Sequence, residues 1–376
     1  MLRFLAACLV LALPALAAEP RARDLGIPFA FGPPGRWNAI TDVPGVAVGH
    51  TTLIEGDGIR TGVTVVMPRG SGDAARQACF GGYFSLNGNG DMTGTHWLEE
   101  SGMLEGPVAI TNTNSVGVVR DAVIAYAAKR WPTGSTDWSW TVWSLPIVAE
   151  TWDGGLNDIY GMHVKAEHLF RAVDGAQTGP VAEGGVGGGT GMVCYEFKGG
   201  IGTASRVLDA KNGGSTVGVL VQANFGVRHQ LRVAGIPIGE EIREGLVRGE
   251  DSGSIIIVVA TDAPLLPHQL KRLARRAALG LARTGSVAGN GSGDLFVAFS
   301  TANPQADAER QTKLDALSNE AMGPLFEATV GATEEAILNA LVAGRTMTGH
   351  KGSKVLGMPH DRVQAILRRH GVLTTP

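Results

Sequence analysis

The run Ser254-Ile-Ile-Ile-Val-Val-Ala260 constrains this chain more than any other segment. β-Branched side chains are stiff at χ1 and fit a pleated strand better than a helix. An unbroken apolar run with no polar alternation has no face for water, so such a strand is buried on both sides. Material must therefore lie above and below it. Gly62–Met67, Gly106–Asn112, Trp143–Ala149, Gly218–Ala223 and Asp294–Ser300 read as further extended segments. Val118–Arg130 and Leu265–Arg283 read as helices, the second with Lys271, Arg272, Arg275 and Arg276 on its wet side. Thr333 reads as an N-cap, with Glu334 and Glu335 in the first turn of a helix to Val342. Ile257–Pro264 and Phe296–Pro304 share one pattern of apolar strand, small polar turn and proline. Strands and helices mixed in this order predict a layered α/β fold with sheet covered by helices.

Glycine fills 54 of 376 positions without a Gly-X-Y period, so it serves turns and close backbone approach rather than a collagen helix. A formal charge of −3 and 6% aromatic residues give no basic, base-stacking footprint, and no nucleic-acid partner is expected. Met1–Ala18 has one arginine, an apolar run from Phe4 to Leu16 and the small-x-small pattern Ala15-Leu-Ala17. It reads as a secretory leader, so the mature protein is expected to be periplasmic or secreted, with no membrane span. Cys8 leaves with the leader. Cys79 and Cys194 remain, either as buried apolar residues or as a disulfide that export would permit. Nine histidines show no HExxH and no tight pair, so neither a metal nor another cofactor is expected.

The polar residues with chemical potential sit at the ends of apolar strands. Gly253-Ser254 opens the most buried one. Gly-Ser occurs seven times in the chain, and on spacing alone this is an ordinary loop-to-strand junction. It also suits attack of a serine hydroxyl on its own preceding carbonyl, eased by strained angles at Gly253. Ester hydrolysis would then free Ser254 as an N-terminus whose amine, with a pKa near 8, can take a proton from its own hydroxyl. Asn290-Gly-Ser-Gly-Asp294 places Ser292 and Asp294 at the mouth of another strand, either as a polar turn or as groups that orient a nearby amine. Asn224, at a strand end, can donate to an oxyanion, a contact worth roughly 3 kcal/mol. Glu150 and Trp152 follow a third strand, where a buried carboxylate beside an indole would grip a cationic amine. Glu183–Gly191 lacks the lysine of a P-loop and the context of a dinucleotide fingerprint, so it reads as a glycine loop crossing another backbone. No G-x-S-x-G elbow is present.

These blocks, taken in order, resemble the L-aminopeptidase D-amidase/D-esterase family, which includes the β-peptidyl aminopeptidases. The resemblance rests on Asn38–His50, Arg60–Val66, Thr111–Asn114, Glu183–Met192, Val221–Gly226, Gly253-Ser254 and Gly291–Asp294, and spans nearly all of the chain after the leader. It implies a four-layer αββα sandwich resembling N-terminal-nucleophile hydrolases, with ornithine-acetyltransferase-like connectivity. It implies a precursor cut at Gly253–Ser254 into an α chain (19–253) and a β chain (254–376) of one domain. Ser254 would be the nucleophile, Ser292 and Asp294 its positioning groups, Asn224 part of the oxyanion hole, and Glu150 the holder of the substrate's amino group. Substrates would be small peptides, amino-acid amides or esters, and the assembly a homotetramer of αβ units. Two positions depart from the family pattern. Asp294 stands where β-peptidyl members carry glutamate. Trp152 stands where some members carry a tyrosine near the oxyanion, a hydroxyl that indole cannot supply. An acyltransferase of the ornithine-acetyltransferase type and a non-enzymatic exported binding protein remain alternatives.

Overall fold

The computed structural model describes residues 20–132, 142–250, 253–307 and 310–374. The leader assigned to 1–18 lies outside them. In chain order the strands are β1 (Ala47–Glu55), β2 (Ile59–Met67), β3 (Cys79–Gly88), β4 (Met103–Leu104), β5 (Val108–Asn112) and β6 (Ile147–Thr151). There follow β7 (Val193–Cys194), β8 (Phe197–Lys198), β9 (Gly200–Val207), β10 (Thr216–Asn224), β11 (Ser254–Thr261) and β12 (Gly293–Ser300). The main helices are α1 (Thr95–Ser101), α2 (Val116–Arg130), α3 (Ala166–Asp174), α4 (Ile238–Glu241), α5 (Pro267–Arg283), α6 (Gly323–Val342) and α7 (His360–Arg369).

Two sheets lie face to face. One runs β1-β2-β5-β6 and the other β4-β3-β12-β11-β10-β9. The run from Ser254 is the strand the sequence predicts: all eight residues of β11 are buried. It pairs in parallel with β12 and antiparallel with β10. Side chains alternate between two cores. Ile256 and Val258 join Ile110, Ile147 and Ala149 between the sheets, while Ile255, Ile257 and Val259 join Leu273, Ala277 and Ile337 under α5 and α6. Helices α2 and α3 cover the smaller sheet. The order of layers is thus αββα. The two look-alike segments are β11 and β12, parallel neighbours. Among the described residues no helix is long and apolar enough to cross a membrane.

Two expectations are corrected. Residues before Ile147 do not join a strand: Trp143 takes a left-handed turn (φ 65°), and its indole Nε1 donates to the Ala75 carbonyl at 3.0 Å. Thr333 is no N-cap. α6 starts ten residues earlier at Gly323-Pro324. Thr333 sits buried in mid-helix, its hydroxyl donating back to the Thr329 carbonyl at 2.8 Å. Glu334 and Glu335 are held by arginines instead of the helix dipole: Arg283 with Glu334 at 2.5 Å, Arg206 and Arg23 with Glu335 at 2.8 and 2.7 Å. Of the two readings of Cys79 and Cys194 the structure shows the buried apolar one: no disulfide joins them, because Cys79 belongs to the inter-sheet core and Cys194 to the core on the other side.

The glycine loop does cross backbone. A Cβ on Gly188 would lie 2.7 Å from the Ile110 carbonyl, and one on Gly200 would lie 1.9 Å from that of Gly184. The loop also encloses Lys198, fully buried, whose Nζ donates to the carbonyls of Gly199 (2.8 Å) and Gly189 (3.2 Å). Burial pushes its pKa down to about 7. The unfolded chain, with an ordinary lysine value, then binds more protons between pH 7 and 10, so stability rises with pH across that window at about 1.4 kcal/mol per unit of pKa difference. We expect the urea midpoint to climb from pH 7 to 9 and Lys198→Met to flatten that climb. An unchanged slope in the variant would assign the pH dependence elsewhere.

Candidate active site

Ser254 is the first residue of β11 and 6% exposed. Its neighbours in the sheet are Asn224 on β10 and Gly293 on β12. The Gly293 N–H serves two acceptors, the Ser254 Oγ at 3.1 Å and the Gly253 carbonyl oxygen at 3.3 Å. One donor therefore fixes the hydroxyl and polarises the carbonyl ahead of it. Gly253 lies against the end of β10. It is needed for space: a Cβ there would lie 2.0 Å from the Asn224 carbonyl oxygen.

On the neighbouring strand the Ser292 Oγ donates to the Asp294 Oδ1 at 2.6 Å, and Asp294 is buried. The shorter aspartate side chain reaches its serine. The turn that carries Ser292 is tied down by Asn87 and Asn89, whose Nδ2 groups donate to the Gly289 (2.7 Å) and Gly291 (2.8 Å) carbonyls. Asn224 is the last residue of β10, at the strand end where the sequence places it. Its Oδ1 accepts from the Val193 N–H at 2.8 Å and its Nδ2 donates to the Trp152 carbonyl at 2.9 Å, which fixes the amide so that nitrogen, not oxygen, is the donor side.

Glu150 reaches the same place from the other sheet. Gly90 stands between them: a Cβ on it would lie 3.2 Å from the Glu150 Oε1 and 3.3 Å from the Gly293 Cα. Glu150 is buried. Its Oε1 accepts from the Asp91 N–H at 2.9 Å and its Oε2 from the Thr113 hydroxyl. Burial raises its pKa, while both hydrogen bonds work in the opposite direction. Trp152, by contrast, is 45% exposed. Its indole leans over Gly154 and, with Val193, Val247, Arg248 and Val355, lines a cavity of about 440 Å³ beside Asn224. Only its carbonyl touches Asn224. The structure thus brings Ser254, Gly253, Ser292, Asp294, Asn224 and Glu150 together and leaves the Trp152 ring at the rim.

Three participants were not singled out from sequence: the Gly293 N–H, the Thr113 hydroxyl and the Asp91 N–H. Thr113 had a signal, a polar Thr-Asn-Thr-Asn run closing an apolar strand. The backbone donors had none, since an N–H is present at every position but proline.

Fold and site together define a serine aminopeptidase or amidase on a variant of the Ntn-hydrolase fold. The chain belongs to peptidase family S58, whose model matches residues 38–355. It is 51% identical to the β-peptidyl aminopeptidase BapA of Sphingosinicella microcystinivorans, over 96% of this chain and 95% of that one. The solved Burkholderia sp. β-aminopeptidase superposes with a TM-score of 0.85 at 52% identity, covering 95% of this chain and all of its own. The L-aminopeptidase D-Ala-esterase/amidase of Ochrobactrum anthropi, described as a prototype for the serine aminopeptidases and a variant of the Ntn-hydrolase fold, gives 0.88 at 43% identity over 95% of this chain. Family membership sets aside the binding-protein alternative.

Proposed function

We propose that this chain is an exported, self-processing serine aminopeptidase that releases small N-terminal residues, β-amino acids included, from peptides, amides or esters through an acyl-enzyme on Ser254. The observation that carries the reading is the Gly293 N–H shared between the Ser254 hydroxyl and the Gly253 carbonyl. Attack of Oγ on that carbonyl carbon breaks the Gly253–Ser254 amide, and the hydroxyl proton passes to the departing amine. Water then cleaves the ester, leaving a carboxylate on Gly253 and a free amine on Ser254. That amine is the base for the next attack, on substrate. Ser292 and Asp294 hold it, Asn224 donates to the oxyanion, and Glu150 pairs with the substrate's ammonium group. The tetramer of αβ units and the leader at 1–18 belong to the same proposal; the β-peptidyl and D-esterase/amidase activities of the relatives support the substrate class.

Intact mass of the purified protein under denaturing conditions, with N-terminal sequencing, tests it. Two chains are expected, the smaller beginning Ser-Ile-Ile-Ile. A folded, uncut chain would overturn self-processing.

A further inference from the structure

The segment that leads to the Gly253–Ser254 bond is held in an unusual way. Ile242 anchors its start in the core, but Leu246 and Val247 are exposed, so apolar burial does not fix its end. Polar groups do. Glu196 is buried, and its carboxylate accepts three backbone N–H groups, from Arg228, Val247 and Arg248, each at 2.8 Å. The buried Arg228 guanidinium donates to the carbonyls of Ile242 (3.0 Å) and Glu244 (2.9 Å) on the segment, and of Tyr195 and Glu196 (both 2.8 Å) on the opposite side. Tyr195 and Glu196 form the two-residue turn between β7 and β8, both left-handed (φ 48° and 60°) without being glycine. Left-handed non-glycine residues cost stability and persist where the surroundings demand them. The same hairpin gives the Val193 N–H to Asn224, and Arg248 reaches Asn224 Oδ1 at 3.3 Å. Five residues after Arg248 comes Gly253.

Burying a carboxylate costs free energy that three hydrogen bonds offset only locally. Spending it on an exposed strap makes sense if the strap's position matters. We propose that Glu196 and Arg228 clamp residues 242–248 so that the Gly253 carbonyl meets the Ser254 hydroxyl, which makes them positioning residues for self-cleavage and not for hydrolysis. This rests on the self-processing reading above. The clamp forms no bond. It holds the carbonyl whose C–N bond breaks as the Oγ–C bond forms, with the hydroxyl proton leaving on the Ser254 amine.

The test follows freshly purified, uncut protein by intact mass over time. Glu196→Ala is expected to lengthen the half-life about tenfold or more, one tenfold step corresponding to about 1.4 kcal/mol of barrier. Glu196→Gln, which keeps an acceptor for Val247 and Arg248, should fall between it and the parent. Once cut, Glu196→Ala should hydrolyse a small amide with the parent's kcat. Self-cleavage at the parent's rate would overturn the clamp, as would a kcat reduced by the same factor as processing or a glutamine variant no faster than alanine. If Glu196→Ala does not fold, Arg228→Lys serves, because it keeps the buried charge but has three donors for four carbonyls: slower cutting at an unchanged Tm supports the clamp, and the parent's rate overturns it. A parent that never cuts overturns the self-processing reading and the clamp with it.

Discussion

Ser254→Ala is expected to yield one uncut chain with no hydrolysis of amino-acid amides above a background about 10⁴- to 10⁶-fold below the parent, the span seen when a serine nucleophile is removed. Two independent losses coincide at this residue. Without Oγ nothing attacks the Gly253 carbonyl, so the amine that would act as base is never released. Without Oγ no acyl-enzyme forms either. The fold should survive. Alanine fits wherever serine fits, and the Gly293 N–H keeps its second acceptor, the Gly253 carbonyl. Circular dichroism and a Tm within a few degrees of the parent establish that the variant is folded. Residual hydrolysis at a tenth of the parent's rate would move the nucleophile elsewhere. Gly253→Ala separates the two losses. Its Cβ has no room against the Asn224 carbonyl, so cutting should stall while the Ser254 hydroxyl remains.

The positions of the serine, its glycine and the Ser292–Asp294 pair were legible because apolar strands begin there, and strands are what periodicity shows best. β11 and its neighbours could be read for that reason. The roles of those residues came from the family resemblance, since on spacing alone each reads as an ordinary junction or turn. α6 could not be read from its start. Thr333, Glu334 and Glu335 imitate a helix beginning, and what distinguishes them is tertiary: the threonine hydroxyl bonds within its own helix, and the glutamates meet arginines from α5, β9 and the N-terminal segment. The clamp was invisible for a related cause. Tyr195-Glu196 carries no turn residue, so nothing in the sequence marks a hairpin there. The partners of Glu196 lie on backbone dozens of positions away. Asp294 meets Ser292 two positions away, and the Asn87 and Asn89 amides fix the turn that bears Ser292. Trp152 was placed by its neighbours in sequence, but only its carbonyl reaches the site; its ring turns outward over two glycines.

Glu150→Gln should lower kcat/KM for substrates with a free amino group by about 10²- to 10³-fold, the loss expected when one partner of a buried charged pair is neutralised. The same change should barely alter the slow turnover of N-acetylated analogues, so the preference of the enzyme for a free N-terminus collapses. That ratio isolates the ion pair from general damage, because misfolding or a displaced Ser254 would depress both substrates together. The pH profile gives a second reading. Glu150 binds an ammonium group only when ionised, and burial holds its carboxyl above the usual range. Activity should therefore fall as pH drops through that raised value, earlier than for an exposed glutamate, and glutamine should remove this acid limb. Thr113 and the Asp91 N–H already occupy one site on each carboxylate oxygen, and both donate. They favour the anion at a place where burial disfavours it, which is the balance required of a group that must stay charged until an amine arrives. An unchanged ratio of free to acetylated substrate in Glu150→Gln would mean that the amino group is bound elsewhere, and the exopeptidase selectivity would need a different anion.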